Sequence, residues 1–178
     1  MNDCRARLIR ASVAAMTIAA SGYAFAFGET ATATLKLAGG ADAGTVTFTE
    51  GSAGVLLKFA LKGLPPGAHA AHIYEKGSCD GDFSSAGAIH NPLGAKHGYL
   101  AEEGPMAGDL PNVYAATDGT IAAELLSPAI SLSTEAEDGL FDADGAAIVI
   151  LEKADDYESD PDGGAGKRIA CGVISIKK

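Results

Sequence analysis

The sequence predicts an all-β fold, an antiparallel sandwich or flattened barrel, on three observations. Short segments alternate apolar with small or polar residues at period two, the spacing that sends successive side chains to opposite faces of a sheet. Gly-rich or acidic breaks separate them, at Gly39-Gly40, at Glu50-Gly51 and over residues 63–67 around Pro65-Pro66. No segment carries a long stripe at helical spacing, and only residues 134–138 read as a short turn of helix. Many short strands joined in this way pack as one sandwich or barrel.

In chain order, the first element lies outside that fold. Residues 1–26 open with Arg5, Arg7 and Arg10, continue with an apolar run over 11–20, and end on Ala24-Phe25-Ala26. A basic front, a short apolar run and a small-x-small close make the pattern of a cleaved export signal. The run is too short to span a bilayer. Residues 27–178 then form one domain of 152 residues, enough to bury a core.

Strands are expected in "ATATLKLAGG", "GTVTFTEG" and "GVLLKFALKG", and then over 69–75, 120–125, 146–152 and 168–176. Two connections exceed any hairpin turn. Residues 76–112 are Gly/Pro-rich and hold His90 and His97, and residues 153–167, "KADDYESDPDGGAGK", are acidic and glycine-rich. Loops of this length in a compact domain are functional or disordered. No internal repeat and no second domain are visible.

Removing the leader takes away three arginines and one aspartate, so the net charge moves from −10 to −12. Such acidity argues against a nucleic-acid partner and against docking on anionic lipid. After the leader nothing is long and apolar enough for a transmembrane helix. Cys4 leaves with the leader and Cys79 and Cys171 remain. Two cysteines in an oxidising compartment most often form one disulfide, with a free thiol pair as the alternative. The bridge would close a loop of roughly 90 residues, which loop entropy values at about 4 kcal/mol.

The blocks "GAHAAHIYEKGSC", "SAGAIHNPLGAKHG", "MAGDLPN", "AIVILEKADDY" and "GGAGKRIACGVI" resemble, in order and spacing, the copper/zinc superoxide dismutases. The resemblance spans essentially the whole chain after the leader. It implies a Greek-key sandwich, a flattened eight-stranded barrel with two long loops. The family chemistry it implies is dismutation of superoxide by a redox-cycling copper. Four histidines hold that copper, one of them bridging to a zinc that two further histidines and an aspartate complete. Imidazole suits both metals, and the copper must keep an open face.

Carried over residue by residue, the resemblance assigns His72 to the first copper position and Tyr74 to the second. Period-two alternation puts both on one face, with His69, which matches a structural histidine, on the other. The bridging position is Ile89, and a histidine follows one step later at His90. A shift of one residue along extended chain reverses a side chain, unless a bulge restores it. His97 matches a zinc ligand, Met106 stands where the next zinc histidine is expected, and Asp109 matches the zinc aspartate. Leu151 occupies the last copper position. Asp155 matches the carboxylate that links a copper histidine to a zinc histidine, here His72 and His97. Arg168 matches the arginine that guides superoxide.

Isoleucine and leucine cannot ligate, and a thioether prefers reduced copper. The expectation is therefore an exported binding or structural module, without ordinary dismutase activity, whose former metal cavity is filled as core. No cofactor is assigned; one zinc or copper ion is the candidate. That alternative is metal binding by a remodelled set of His72, His90, His97 and Asp109, with Tyr74 beside it, and it requires His90 to turn inward. A further alternative is superoxide chemistry at a rearranged copper. The five carboxylates of "ADDYESDPD" would oppose steering of an anion. No nucleophile–base pair or phosphate-binding loop points to another enzyme class. A homodimer stays open, and the sequence names no ligand or protein partner.

Overall fold

The computed structural model describes residues 28–134 and 136–176, so the expected export signal lies outside the described residues. The alternating segments form strands at their predicted places. These are β1 (Thr30–Leu37), β2 (Asp42–Gly51), β3 (Gly54–Leu61), β4 (Gly67–His69), β5 (Ala71–Tyr74), β6 (Val113–Ala115), β7 (Ile121–Ser127), β8 (Ala147–Leu151) and β9 (Arg168–Ile176). Seven of them form one antiparallel sheet in the order β5-β8-β9-β1-β2-β3-β7, and β4 pairs with β6. Strands β1 and β9 are far apart in the chain yet adjacent in the sheet, with Ala33 opposite Ile174. The protein is the all-β Greek-key type of sandwich that the sequence predicts.

Alternation decides what is buried. In β3, Val55, Leu57, Phe59 and Leu61 point inward, while Leu56, Lys58 and Ala60 face outward. Ala31, Ala33 and Leu35 of β1 and Val46 and Phe48 of β2 complete that part of the core. Each large side chain so buried contributes about 1.5–3 kcal/mol. Outward, three threonine pairs line β1 and β2, Thr30 opposite Thr49, Thr32 opposite Thr47 and Thr34 opposite Thr45. β-branched residues suit that half-exposed position.

The structure departs from expectation at three places. The strand expected over 69–75 is two strands that belong to different sheets, with the break at Ala70. The Ala70 amide donates to the Lys153 carbonyl (2.8 Å), and its own carbonyl accepts from Leu151 (3.0 Å). The chain thus hands over from β6 to β8 within one residue. Strand β6 was not expected, because three residues are too few to show a period. The helical turn expected over 134–138, of which residue 135 lies outside the described residues, is reduced to one turn closed by Gly139 on the Ala136 carbonyl (3.0 Å). Among the described residues the helical element is a 3-10 turn at Ser84–Ala86. Near 134–138 the backbone instead bonds across the loop, from Ser131 to the Asp138 carbonyl (3.1 Å) and from Leu140 to the Ser131 carbonyl (2.9 Å).

Both long connections lie where the alternation stops. Cys79 in the first is bonded to Cys171 in β9, with Cα atoms 5.8 Å apart and the two cysteines 92 positions apart in sequence. The first loop is thereby tied to the strand that begins with Arg168. No described helix is long and apolar enough to cross a membrane.

Candidate functional site

Strand β5 has a different environment on each face. Ala71 and Ile73 belong to the main core, whereas Tyr74 belongs to a second, smaller cluster. His72 shares the Tyr74 side by alternation and is fully buried. The first long loop closes over the free edge of β5 through two isolated bridges, His72 opposite Asp109 and Tyr74 opposite Ile89. Gly108 is needed there, because a Cβ at that position would strike the Ile73 carbonyl.

A carboxylate–imidazole network runs inward from this edge. His72 Nε2 donates to Asp155 Oδ2 (2.9 Å). His97 Nε2 faces Asp155 Oδ1 (3.1 Å), and His97 Nδ1 faces Asp109 Oδ1 (2.8 Å). Carboxylate oxygens accept, so the form of His97 that satisfies both bonds is the one with a proton on each ring nitrogen. Burial alone pulls the His97 pKa down. The hydrogen bond to Asp155 and the Asp109 and Asp155 charges outweigh it, and the net shift is upward. For Asp155, burial pushes the pKa up, but hydrogen bonds from His72, the Tyr157 amide and His97 hold it at about 2. The second oxygen of Asp109 accepts from the amides of Gly98 (2.8 Å) and Met106 (3.0 Å). One atom each of His72, His97 and Asp155 lie within 4.8 Å of one another. The remaining ring nitrogen, His72 Nδ1, is buried without a hydrogen-bond partner in the protein.

The other positions named from sequence meet elsewhere. Tyr74, Ile89 and Leu151 sit in the second apolar cluster with Val149, Phe83 and Cys171, and Met106 packs against it half-buried. Arg168 lies over the Tyr74 ring, its Cζ 4.1 Å from the centroid. Its terminal nitrogens donate to the carbonyls of Phe83 (2.6 Å) and Gly87 (2.8 Å). Burial raises the Tyr74 pKa, against the opposing charge of Arg168. His69 is structural in the way the resemblance implies. Its ring nitrogens reach the carbonyls of Leu151 (2.8 Å) and Pro65 (2.7 Å), tying β4 to β8.

His90 stands apart from the imidazole group. Its amide donates to the Ile73 carbonyl (2.9 Å) and its carbonyl accepts from Gly108 (2.8 Å), which holds residues 89 and 90 in extended pairing with β5. Ile89 packs in the second apolar cluster, of which His90 is no member. Among the described residues the group close enough to share an ion is His72, His97 and Asp155, without His90. His90 lines a separate pocket of about 710 Å³ with Tyr74, Ile89, Met106 and Arg168.

Sequence reasoning missed two residues that build the network. Asn112 clamps the second loop by two reciprocal bonds, accepting from the Asp155 amide (2.8 Å) and donating to the Asp155 carbonyl (2.9 Å). Tyr157, at φ 66°, gives its amide to Asp155 Oδ1 and its hydroxyl accepts from the Asn112 amide (2.7 Å). Their signal was present in "GDLPN" and "ADDY", since both adjoin the aspartates already singled out.

Comparison with known proteins agrees with this architecture. Residues 42–174 match the family model of copper/zinc superoxide dismutase. The superoxide dismutase [Cu-Zn] of Caulobacter vibrioides is 52 % identical over 147 residues, covering 81 % of this chain and 84 % of that protein. The superoxide dismutase-like protein YojM of Bacillus subtilis is 42 % identical over 123 residues, covering 68 % and 63 %. A crystal structure of a dismutase-like protein from Bacillus subtilis superposes with a TM-score of 0.78 at 38 % identity, covering 83 % of this chain and 99 % of that one. A double mutant of that type of protein, with a tyrosine and a proline each changed to histidine, gives the same TM-score at 36 % identity over 80 % and 95 %. The shared fold, the sequence identity and the family match lead to one conclusion: the chain belongs to the copper/zinc superoxide dismutase family.

Proposed function

We propose that the chain is an exported dismutase-like protein without ordinary dismutase activity, acting as a binding or structural module. The observation that carries this reading is the packing of Tyr74, Ile89 and Leu151 in one apolar cluster, with Met106 against it. At the family's copper positions His72 is the one imidazole, and a redox-cycling copper is not held by one imidazole. At the zinc positions His97 and Asp109 bond to each other (2.8 Å). A tetrahedral zinc needs four donors, and imidazole and carboxylate remain at only two of the zinc positions. The residues present therefore do not fit either ion in its family arrangement. Export is supported by the leader pattern and by the Cys79–Cys171 disulfide, a bond typical of oxidising compartments.

The test is copper and zinc loading of the metal-stripped protein, followed by metal analysis and a dismutation assay. The expected result is no retained copper and no turnover above the metal-free protein. Copper-dependent turnover overturns the reading. A second reading, residual zinc or copper binding, draws on the unpartnered His72 Nδ1 beside His97 and Asp155. Calorimetric uptake tighter than micromolar, lost in His72→Gln, would select it.

A further inference from the structure

The outer face of β3 and β7 is built from three matched steps. In that antiparallel pair Leu56 lies opposite Leu126, Lys58 opposite Glu124 and Ala60 opposite Ala122. All six residues are exposed, and Lys58 pairs with Glu124 across the strands (3.3 Å). A single exposed leucine is ordinary. Here Leu56 and Leu126, 41 % and 54 % exposed, stand directly opposite each other and make one apolar step. Beside them β2 presents three threonines, with Thr49, Thr47 and Thr45 opposite Leu56, Lys58 and Ala60.

The three steps are self-complementary under one symmetry operation. Consider a two-fold axis parallel to the strands, midway between β3 and β7. It lays β3 of one copy over β7 of another at the same height along the strands. Leu56 then meets the second copy's Leu126, Lys58 its Glu124 and Ala60 its Ala122, and each contact is made twice. An axis perpendicular to the strands through the Lys58 step would instead set lysine on lysine and glutamate on glutamate. Aligned strands are an ordinary way for two sheets to pack. Charge favours the same contact. The chain carries a net charge of −10, so two copies repel in general, whereas on this face Lys58 and Glu124 cancel.

We propose that the protein self-associates through this face, as a two-fold dimer in which β3 of each copy covers β7 of the other. A face centred on two strands belongs with the small, transient interfaces, and the dissociation constant expected is on the order of 0.1 mM. The proposal does not depend on whether the chain turns over superoxide. Sedimentation equilibrium of the exported protein, from about 0.01 to 1 mM at about 0.15 M ionic strength, is the test. A monomer–dimer equilibrium is expected, and a monomer at every concentration overturns the proposal. Leu126→Glu should weaken the dimer by about tenfold or more, because one substitution puts two carboxylates into the apolar steps. Lys58→Glu and Glu124→Lys should each weaken it about tenfold, since each brings two like-charged pairs into contact. Mixed together, these two charge variants should dimerise again, because every facing pair between them is then of opposite charge. Neither variant regains the pair within its own chain, so the recovery reports the contact between copies. All three positions are exposed, and unchanged circular dichroism should show the fold intact. A dimer indifferent to Leu126→Glu, or charge variants whose mixture stays monomeric, places the contact elsewhere and overturns the proposal.

Discussion

Arg168 and Tyr74 are stacked, the guanidinium carbon 4.1 Å from the ring centroid. By the sequence resemblance, the ring stands where a copper-binding histidine is expected and the guanidinium where the substrate-guiding arginine is expected. Here that arginine is spent on structure, pinning Phe83 and Gly87 of the first loop to the start of β9. A cation over an aromatic face adds about 0.5–2 kcal/mol to the ring's burial.

Tyr74 is accordingly expected to act through its ring. Tyr74→Phe should cost under about 1 kcal/mol, and Tyr74→Ala about 3–5 kcal/mol from lost packing and the cavity left behind. Urea-unfolding midpoints measure both. Equal losses for the two substitutions would show that the hydroxyl, not the stacked ring, holds the site.

Asp155 should govern the acid limb of stability. Its folded pKa is about 2 against an ordinary 3.8, so its contribution is complete above 3.8 and fades as pH falls toward 2. That difference corresponds to something on the order of 2 kcal/mol. Asp155→Asn should lower stability at neutral pH and flatten its loss between those two values. Denaturation midpoints followed from pH 7 downward check the slope, and a wild-type slope retained in the variant would contradict the assignment.

His97 should govern the opposite limb. Its folded pKa is raised above the ordinary 6.5, so its stabilisation is complete below that value and is lost as pH rises through the folded pKa. Nitrogen-15 spectra of the ring should therefore show both N–H groups at neutral pH. A neutral His97 ring at pH 7 would break the proposed hydrogen-bond pattern, since one of Asp109 and Asp155 would face a bare lone pair.

Much of this was legible because its signals are local. Period two gave the buried faces of β1, β2 and β3, and the same rule put Tyr74 with His72 and against Ile73. The pairing of Asp155 with His72 and His97 followed from the family resemblance, not from spacing, since 83 residues separate Asp155 from His72. Less legible was the split at Ala70, which exists because two sheets compete for one backbone. The place of His90 was also hidden, because the bonds that hold it to β5 and to Gly108 are backbone bonds between distant residues. Asn112 and Tyr157 escaped notice for a related reason. Their bonds join a side chain to the backbone of the other loop, Asn112 to Asp155 and Tyr157 to Asn112, pairings that spacing along the chain does not reveal.

Restoring histidines provides the most direct reversal of the proposed loss. Tyr74→His, Ile89→His and Leu151→His would give four imidazoles at the copper positions together with His72, and Met106→His would complete a zinc set with His97 and Asp109. Without metal this variant should be much less stable. It exchanges two aliphatic side chains, a stacked ring and a thioether for buried imidazoles, and each unsatisfied polar group costs about 1–3 kcal/mol. Metal should then return stability, because an ion that binds only the folded state adds about 4 kcal/mol at a thousandfold excess over its dissociation constant. The expected pattern is a melting temperature that falls on substitution and recovers with copper and zinc, accompanied by copper-dependent dismutation. The unsubstituted chain should show no shift with either metal. A comparable shift in the unsubstituted chain would mean that His72 and its neighbours already hold an ion, and that the packing of Ile89 and Leu151 did not abolish the site.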